Sequence, residues 1–480
     1  MSAYVLENFG CRATQADGAA IEQQLLAMGL ERASAPAHAQ VMVLNTCTVT
    51  AAADADARAA IRRIHRENPA CKIMVTGCYA QRAPEELAAL PGVTWVVGNS
   101  HKQQVARLAA EGLSPTSAPR SVPRDFANLE SPRYATAHNG FVSVGELSGH
   151  TPRPEASFQL VGDIFAHTNL AHTEMMAAPV FEGGGETNCR TRPNLKVQDG
   201  CDNRCSFCVI PFVRGQSRSL PLDSVLRECD SLVAAGYREV VISGINLGRW
   251  GRDLPTPQRF EALVNAVLER TAIERLRISS VEPMDWSAEL IDLMASSERI
   301  CKHAHVPLQS GSDQVLRMMH RKYRPWHYAD RIRRIRAAMP EAAIGADVMV
   351  GFPGETDALF EENRKFIAEL PFTYLHVFTY SSRPGTAAAK MPDHVPVQVA
   401  RARNRILREL IAEKNAAFRR GLVGKELEAI TLHGNKDGST DALTNNFLKL
   451  RIAGDHASNQ LLRVAIRGLT ETGLAGAVRL

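Results

Sequence analysis

The sequence predicts an α/β protein in three parts: an N-terminal parallel-sheet domain, a central partial (β/α)6 barrel and a small C-terminal all-β domain. Two runs of alternating strand-like and helix-like segments carry this reading, with a closing run of short apolar stretches broken by turn residues. Strands that alternate with helices build parallel sheets, because a crossover helix returns the chain to the same end of the sheet. A chain of 480 residues corresponds to two to four domains at roughly 100–200 residues each.

Within residues 1–110, "AYVLENFG", "QVMVLNT", "KIMVTG" and "WVVG" read as strands. Between them, Gln15 to Met28, Ala51 to Arg66 and Pro84 to Leu90 show helical spacing of apolar residues. Residues 111–193 lack strong periodicity, as in "SPTSAPRSVPRD" and "FEGGGETNCR". A stretch this long without periodic structure reads as an inter-domain insertion or linker, with strand-like pieces in "GFVSV" and "SFQLVGDIF". Alternation returns in residues 194–420, with "LKVQ", "REVVISG", "RLRISS", "KHAHVP", "AIGADVMV" and "YLHVFTY" as strands. Helices fall between them, for example Ser219 to Ala235 and Pro325 to Met339. Six strand–helix units in series fit an α/β barrel or part of one. Residues 396–420 read as one long basic helix, and residues 421–480 as the small all-β domain.

Apolar content is ordinary at 45%, and no apolar run is long enough to span a membrane. The opening "MSAYVLENFG" has no basic region and no cleavable apolar segment, so it reads as a first strand and a cytoplasmic location is expected. Ten cysteines in such a chain argue for metal ligands or nucleophiles over a disulfide scaffold. A net charge of +5 is too small to argue nucleic-acid binding from the total, so local patches must carry it. "RARNRILRELIAEKNAAFRR" supplies Arg401, Arg403, Arg405, Arg408, Lys414, Arg419 and Arg420, and "MHRKYRPWHYADRIRRIRAA" is also basic. Such patches suit phosphate contacts, which position a nucleic acid without reading it; a solvated, ion-paired helix face is the plain alternative. The final domain has a single aromatic, Phe447, and so little surface on which bases could stack.

"GCDNRCSFC" places Cys201, Cys205 and Cys208 just after the first strand of the barrel region. Active sites of such barrels sit at the carboxyl ends of strands. Three thiolates can hold three corners of a 4Fe–4S cluster and leave the fourth iron open, whereas cysteine-ligated clusters normally have four protein ligands. A zinc site completed by a distant histidine, or chance clustering, is the competing reading. Cys11, Cys47 and Cys78 form a second set, 36 and 31 residues apart, in "ENFGC", "LNTC" and "VTGC". Each lies just past the carboxyl end of a strand, and in an open parallel sheet those ends converge on one crevice. Gly10, Thr46 and Gly77 leave room beside them; three unrelated buried thiols remain the alternative. Cys71, Cys229 and Cys301 fall within elements and read as core residues, and Cys189 is unassigned.

The C-x3-C-x2-C pattern with Phe207 before its last cysteine resembles the radical S-adenosylmethionine signature. "ENFGCRATQAD", "LNTCTVTAAAD", "VTGCYAQ", "GCDNRCSFCVIPFVRGQSRS", "HVPLQSGSDQVLRMMHRKY" and "DVMVGFPGET" follow in the order of the methylthiotransferases of that superfamily. The resemblance covers residues 1–110 and 194–420, with a weaker match afterwards to the small β-barrel called TRAM, while residues 111–193 exceed the family's usual linker. It implies a flavodoxin-like N-terminal domain (1–110) with an auxiliary cluster, a radical S-adenosylmethionine domain (194–420) and a TRAM-like barrel (421–480). Cys201, Cys205 and Cys208 would hold a 4Fe–4S cluster that binds and cleaves S-adenosylmethionine, and Cys11, Cys47 and Cys78 a second one that supplies sulfur. The cofactor carries the radical chemistry, which removes a hydrogen from C2 of an adenine, and the protein supplies orientation and shielding.

Further contacts to S-adenosylmethionine would come from Phe207, from Gly244 and Asn246 in "ISGIN", from Ser280 and Glu282 in "SSVEP", from Gln309, and from Val350 and Phe352 in "VMVGFPGET". Ordinary strand-end packing is the alternative for each. "GCDNRCSFCVIPFVRGQSRS" and "YSSRPGTAAAKMP" are most similar to the branch that acts on tRNA threonylcarbamoyladenosine. The isopentenyladenosine branch usually has tyrosine where this chain has Phe207. The alternatives are the same chemistry on isopentenyladenosine in tRNA or on an aspartate of ribosomal protein S12, or a two-cluster electron-transfer or cluster-carrier protein. The resemblance implies a tRNA substrate, a reductant supplying electrons, no membrane and a monomer.

Overall fold

The computed structural model describes residues 2–113, 157–166 and 191–478; Cys189 and "GFVSV" lie outside them. The first sheet is built from β1 (Ala3–Asn8), α1 (Arg12–Ala27), β2 (Glu31–Arg32), β3 (Val41–Thr46), α2 (Ala51–Glu67), β4 (Lys72–Gly77), α3 (Cys78–Arg82), α4 (Pro84–Ala88), β5 (Val93–Gly98), α5 (Val105–Leu113) and β6 (Phe158–Leu160). Its order is β2-β1-β3-β4-β5-β6, parallel throughout. The first five strands follow the flavodoxin-like order, whose ligand crevice opens where the winding reverses between β1 and β3. β3 is buried along its whole length, as parallel strands covered on both faces must be. Its side chains alternate: Met42 and Leu44 pack on Ile61 and Ile64 of α2, while Val41 and Val43 pack on Ile21 and Leu25 of α1. Two details depart from the sequence reading. α1 begins at Arg12, with Cys11 as its N-cap, and α3 begins at Cys78 itself. The strong helix-start signal at Pro84 belongs only to the following α4. β6 comes from "SFQLVGDIF", so the stretch read as a linker supplies the edge strand beside β5.

The central region holds β7 (Asn194–Asp199), α6 (Ile210–Arg214), β8 (Arg218–Ser219), α7 (Leu222–Ala234), β9 (Glu239–Gly244), α8 (Phe260–Arg270), β10 (Arg275–Ile278) and α9 (Ala288–Ser296). It continues with β11 (His303–His305), α10 (Asp313–Met318), α11 (Pro325–Ala338), β12 (Ala343–Val350), α12 (Asp357–Glu369), β13 (Tyr374–Thr379) and α13 (Val397–Arg420). β7, β9 and β10 pair in parallel, as do β11, β12 and β13. A bridge from Leu276 to Ile300 links the two groups. β7 and β13 are not paired to each other, so the six strands form a partial barrel with an open side. β8, which the sequence reading did not separate, folds back antiparallel on β7.

The N-terminal sheet domain bridges that open side. Lys102 and Asp17 meet Lys196, Asp199 and Arg214 on the β7 edge. Thr48 and Asp54, both also held by Arg82, meet Arg383, in the loop after β13, on the other edge. The last domain is a closed barrel of β14 (Glu426–Gly434), β15 (Ser439–Thr444), β16 (Lys449–Ala453), β17 (Leu461–Leu469) and β18 (Leu474–Val478). Closure leaves no free strand edges. Among the described residues no helix is long and apolar enough to cross a membrane.

Two candidate cysteine sites

Cys201, Cys205 and Cys208 lie on the loop from β7 to α6. Gly200 opens the loop at φ +73°, where a Cβ would lie 1.8 Å from the Gln216 carbonyl oxygen, so only glycine fits this approach. The loop is pinned at Ser206, whose N–H and Oγ donate to the Met319 and Met318 carbonyls at 3.1 and 2.8 Å. Asn246 Nδ2 stands 3.6 Å from Cys201 Sγ, and Arg321 Nη1 stands 3.1 Å from Cys205 Sγ. Arg321 is also ion-paired to Glu282. Burial pushes the Cys201 thiol up to about 11 and the Cys208 thiol up to about 12, with Cys205 adding to both shifts.

The second candidate set lies at the ends of neighbouring strands. Cys11, Cys47 and Cys78 follow β1, β3 and β4. Gly10, at φ +107°, brings its loop so close that a Cβ there would lie 2.6 Å from Cys47 Cβ and 3.0 Å from its Sγ. Cys47 and Cys78 are buried, whereas Cys11 is exposed. Burial raises Cys47 to about 12, with Cys78 and Cys11 pushing the same way. Burial also raises Cys78, against the opposing pull of Arg214. Arg214 Nε and Asn99 Nδ2 donate to Cys78 Sγ at 3.2 and 3.5 Å.

The two sites are joined by buried charge. Arg214 Nη1 and Nη2 reach Asp199 Oδ1 at 2.9 Å and Asp17 Oδ2 at 3.2 Å. Lys102 and Lys196 bind the same two carboxylates. Burial alone would push Asp17 and Asp199 up; the three cations more than offset it and hold both below the usual carboxylate range. α6 thus ties the loop of the first site to a sulfur of the second.

Each donor set fits a 4Fe–4S group with one open iron. Each set offers three thiols at strand ends, a side-chain N–H already points at one of them in each, and burial disfavours the bare thiolates of Cys47, Cys78, Cys201 and Cys208. Bound metal offsets that penalty by taking the place of the thiol protons. Cys71, Cys229 and Cys301 are buried in the core instead.

The other sequence-selected residues fall around the first site. Asn246 touches Cys201 directly, and Glu282 reaches Cys205 through Arg321. Gly244 ends β9 against Gln198, which also accepts from the Asn246 N–H at 2.7 Å. Ser280 Oγ lies 2.6 Å from His305 Nδ1, and Gln309, at φ +66°, bonds to the Asp347 carbonyl. Phe207 meets Phe352 edge-on at 6.4 Å, and Phe352 and Val350 are both fully buried. Arg321, Arg214 and Asn99 were missed. Arg321 sits in "MHRKY", read as the end of a family motif and as part of a basic patch, yet it is buried against sulfur. In α13, Arg403 is buried on Glu355, while Lys414 and Arg419 donate to carbonyl oxygens. Arg401, Arg405, Arg408 and Arg420 remain exposed.

The uncharacterized protein family UPF0004 matches residues 3–98, and the Radical SAM superfamily matches residues 195–367. The chain is 34% identical to the threonylcarbamoyladenosine tRNA methylthiotransferase MtaB of Aquifex aeolicus, over 96% of this chain and 99% of that protein. Identity to the protein of the same name from Bacillus subtilis is 33%, over 95% and 91%. A tRNA-2-methylthio-N(6)-dimethylallyladenosine synthase of Parafrankia sp. is 31% identical, over 96% and 85%. Among solved structures, the radical S-adenosylmethionine methyltransferase TsrM from Kitasatospora setae shares the fold, with a TM-score of 0.53 at 16% identity over 81% of this chain and 77% of that one. With identity of this order along nearly its whole length, the chain belongs to the radical S-adenosylmethionine methylthiotransferase family.

Proposed function

We propose that this chain methylthiolates C2 of N6-threonylcarbamoyladenosine, 3′ of the anticodon in tRNA, using S-adenosylmethionine and two 4Fe–4S clusters. The observation that carries the proposal is the pair of three-cysteine sites on strand ends, coupled through Arg214 to Cys78. The names of the relatives support the choice of substrate. Cys201, Cys205 and Cys208 would hold one cluster, and Cys11, Cys47 and Cys78 the other. Together with S-adenosylmethionine such clusters supply one-electron chemistry able to break an aromatic C–H bond and deliver sulfur.

The protein's part is placement. Asn246 and Arg321 donate to the sulfurs of the first site, and Arg214 and Asn99 to Cys78 of the second. Such charge-assisted bonds stabilise thiolate over thiol. Gly244, Asn246, Ser280, Glu282 and Gln309 lie at strand ends, suited to the polar groups of S-adenosylmethionine. Phe207, Val350 and Phe352 are suited to form an apolar wall beside its adenine. The N-terminal domain, drawn across the open side of the barrel, shields the reaction from water. The exposed Arg401, Arg405, Arg408 and Arg420 are suited to tRNA phosphates. The enzyme would act in the cytoplasm as a monomer, with electrons from a separate reductant.

Mass spectrometry of tRNA nucleosides from a deletion strain tests this. The methylthiolated form of threonylcarbamoyladenosine should vanish; if it persists, the proposal is wrong. Loss of the methylthio group from dimethylallyladenosine instead would assign the substrate named for the Parafrankia relative, and an unmodified S12 would assign the ribosomal protein. Absence of 5′-deoxyadenosine from the reduced, reconstituted protein would leave only the electron-transfer or carrier reading.

A further inference from the structure

On adjacent strands of the barrel, buried His305 on β11, half-buried Asp347 on β12 and exposed His376 on β13 bring one donor or acceptor atom each to within 4.8 Å of one another. The strand register places them on one face, with Asp347 opposite His376 and His305 opposite Gly345. Ser280 holds His305 by Nδ1 at 2.6 Å. His305 Nε2 points the other way, 3.5 Å from Asp347 Oδ1, and is buried without a hydrogen-bond partner. Tyr374 stacks on both His305 and His303, and Phe447 of the last domain stacks on His303 at 4.3 Å. Phe447 therefore packs against the barrel strands beside these residues.

Two arginines lie over the Phe447 ring. Arg277, 5.4 Å from the centroid, is committed to Glu239 and to the Thr444 and Asn445 carbonyls. Arg12, 5.8 Å from the centroid, keeps a buried Nη1 with no hydrogen-bond partner among the described residues. Buried polar groups are almost always satisfied, so two such atoms near one another mark a place suited to a polar ligand. The position is telling: Arg12 adjoins Cys11 in the chain, and Ser280 shares a strand end with Glu282, which reaches Cys205 through Arg321. The space lies between the two cysteine sites.

We propose that this space is the specificity pocket for the N6-threonylcarbamoyl substituent, with Arg12 binding its carboxylate and His305, Asp347 and His376 binding its hydroxyl and urea groups. The assignment rests on the function proposed above and names the part of that substrate which this chain reads. A carboxylate matches the guanidinium fork. The urea N–H groups and the hydroxyl can donate to Asp347 and exchange hydrogen bonds with His305 Nε2. A dimethylallyl group offers neither charge nor hydrogen bond, and would leave Arg12 Nη1 and His305 Nε2 buried without a hydrogen-bond partner. Sites built for polar groups reject apolar analogues strongly for that reason.

The test is binding, read by fluorescence anisotropy with cluster-loaded protein in the absence of S-adenosylmethionine. Three anticodon stem-loop RNAs are compared, whose target adenosine carries threonylcarbamoyl, dimethylallyl or no substituent. The wild type should favour the threonylcarbamoyl loop over the bare loop by about tenfold or more. Arg12→Met should lose that factor while binding the bare loop as the wild type does. His376→Leu, at an exposed position, should lower the preference about threefold, and it decides the matter if Arg12→Met fails to fold or to retain iron. Wild-type preference kept by the folded variants overturns the pocket but leaves the proposed function standing. A wild type that favours the dimethylallyl loop overturns both, and a wild type with no preference overturns the pocket.

Discussion

Glu239 opens β9, is completely buried, and pairs through both oxygens with Arg275 at 2.6 Å and Arg277 at 2.8 Å. The same two arginines donate to the carbonyls of Leu443, Thr444 and Asn445, which hold the last domain against the barrel. Burial alone would push the Glu239 carboxyl up, but Arg277 and Arg275 more than offset it and bring it down to about 2. Measured from an ordinary glutamate, that difference corresponds to about 3 kcal/mol of folding stability at neutral pH. Glu239→Gln keeps the shape and removes the charge, leaving two buried guanidinium groups without their shared partner. A loss of about 3–5 kcal/mol is expected from breaking one side of a buried pair. The folded-state value lies below the unfolded one, so the wild type holds this contribution above about pH 4.3 and loses it as pH falls toward about 2. The variant should lack that part of the acid limb. Urea unfolding followed by the fluorescence of Trp250 and Trp286, both buried in the barrel core, measures the loss. Amide exchange at 443–447 should quicken in parallel. A change below about 1 kcal/mol, with the acid limb intact, would refute the reasoning.

Gly200→Ala should misplace Cys201, because the new Cβ meets backbone 1.8 Å away at a left-handed φ; iron analysis should show the first site depleted. Cys78→Ala should cost about half of roughly eight irons while reductive cleavage of S-adenosylmethionine persists, and loss of both would contradict two independent sites. Asp54→Asn leaves Arg82 and Arg383 facing each other across the second domain contact. It should expose that interface to limited proteolysis and lower stability by about 3 kcal/mol. Charge reversal at Arg401, Arg405, Arg408 and Arg420 should flatten the salt dependence of tRNA binding by about one log unit per lost phosphate contact; an unchanged slope would remove α13 from the RNA surface.

Much of the architecture was legible because it is local. Continuous apolar runs such as "VMVLNT" give buried parallel strands, and helical spacing gives the elements between them. Strand-end placement grouped Cys11, Cys47 and Cys78 before any contact was known, since parallel strands open on one crevice. Other features were set by tertiary packing. The strand-like piece "SFQLVGDIF" did become β6, but its pairing with β5 could not be read from the linker around it, because an edge strand needs only one neighbour. Arg321 and Arg403 looked like phosphate ligands and are buried counter-ions. Phe447, weighed only as an RNA-stacking surface, turns at φ +67° against the barrel strands.

The sequence by itself determined the α/β alternation, the closing β-barrel and the strand-end positions of the six cysteines, because each depends on periodicity or on distance from a strand end. Only the tertiary structure decided what stands against those sulfurs. Arg214 meets Cys78 across 136 residues and Arg321 meets Cys205 across 116, and Arg12 meets Phe447 from the opposite end of the chain. Such pairings have no local pattern, because they form only when separately folded layers dock and a buried charge must find its partner.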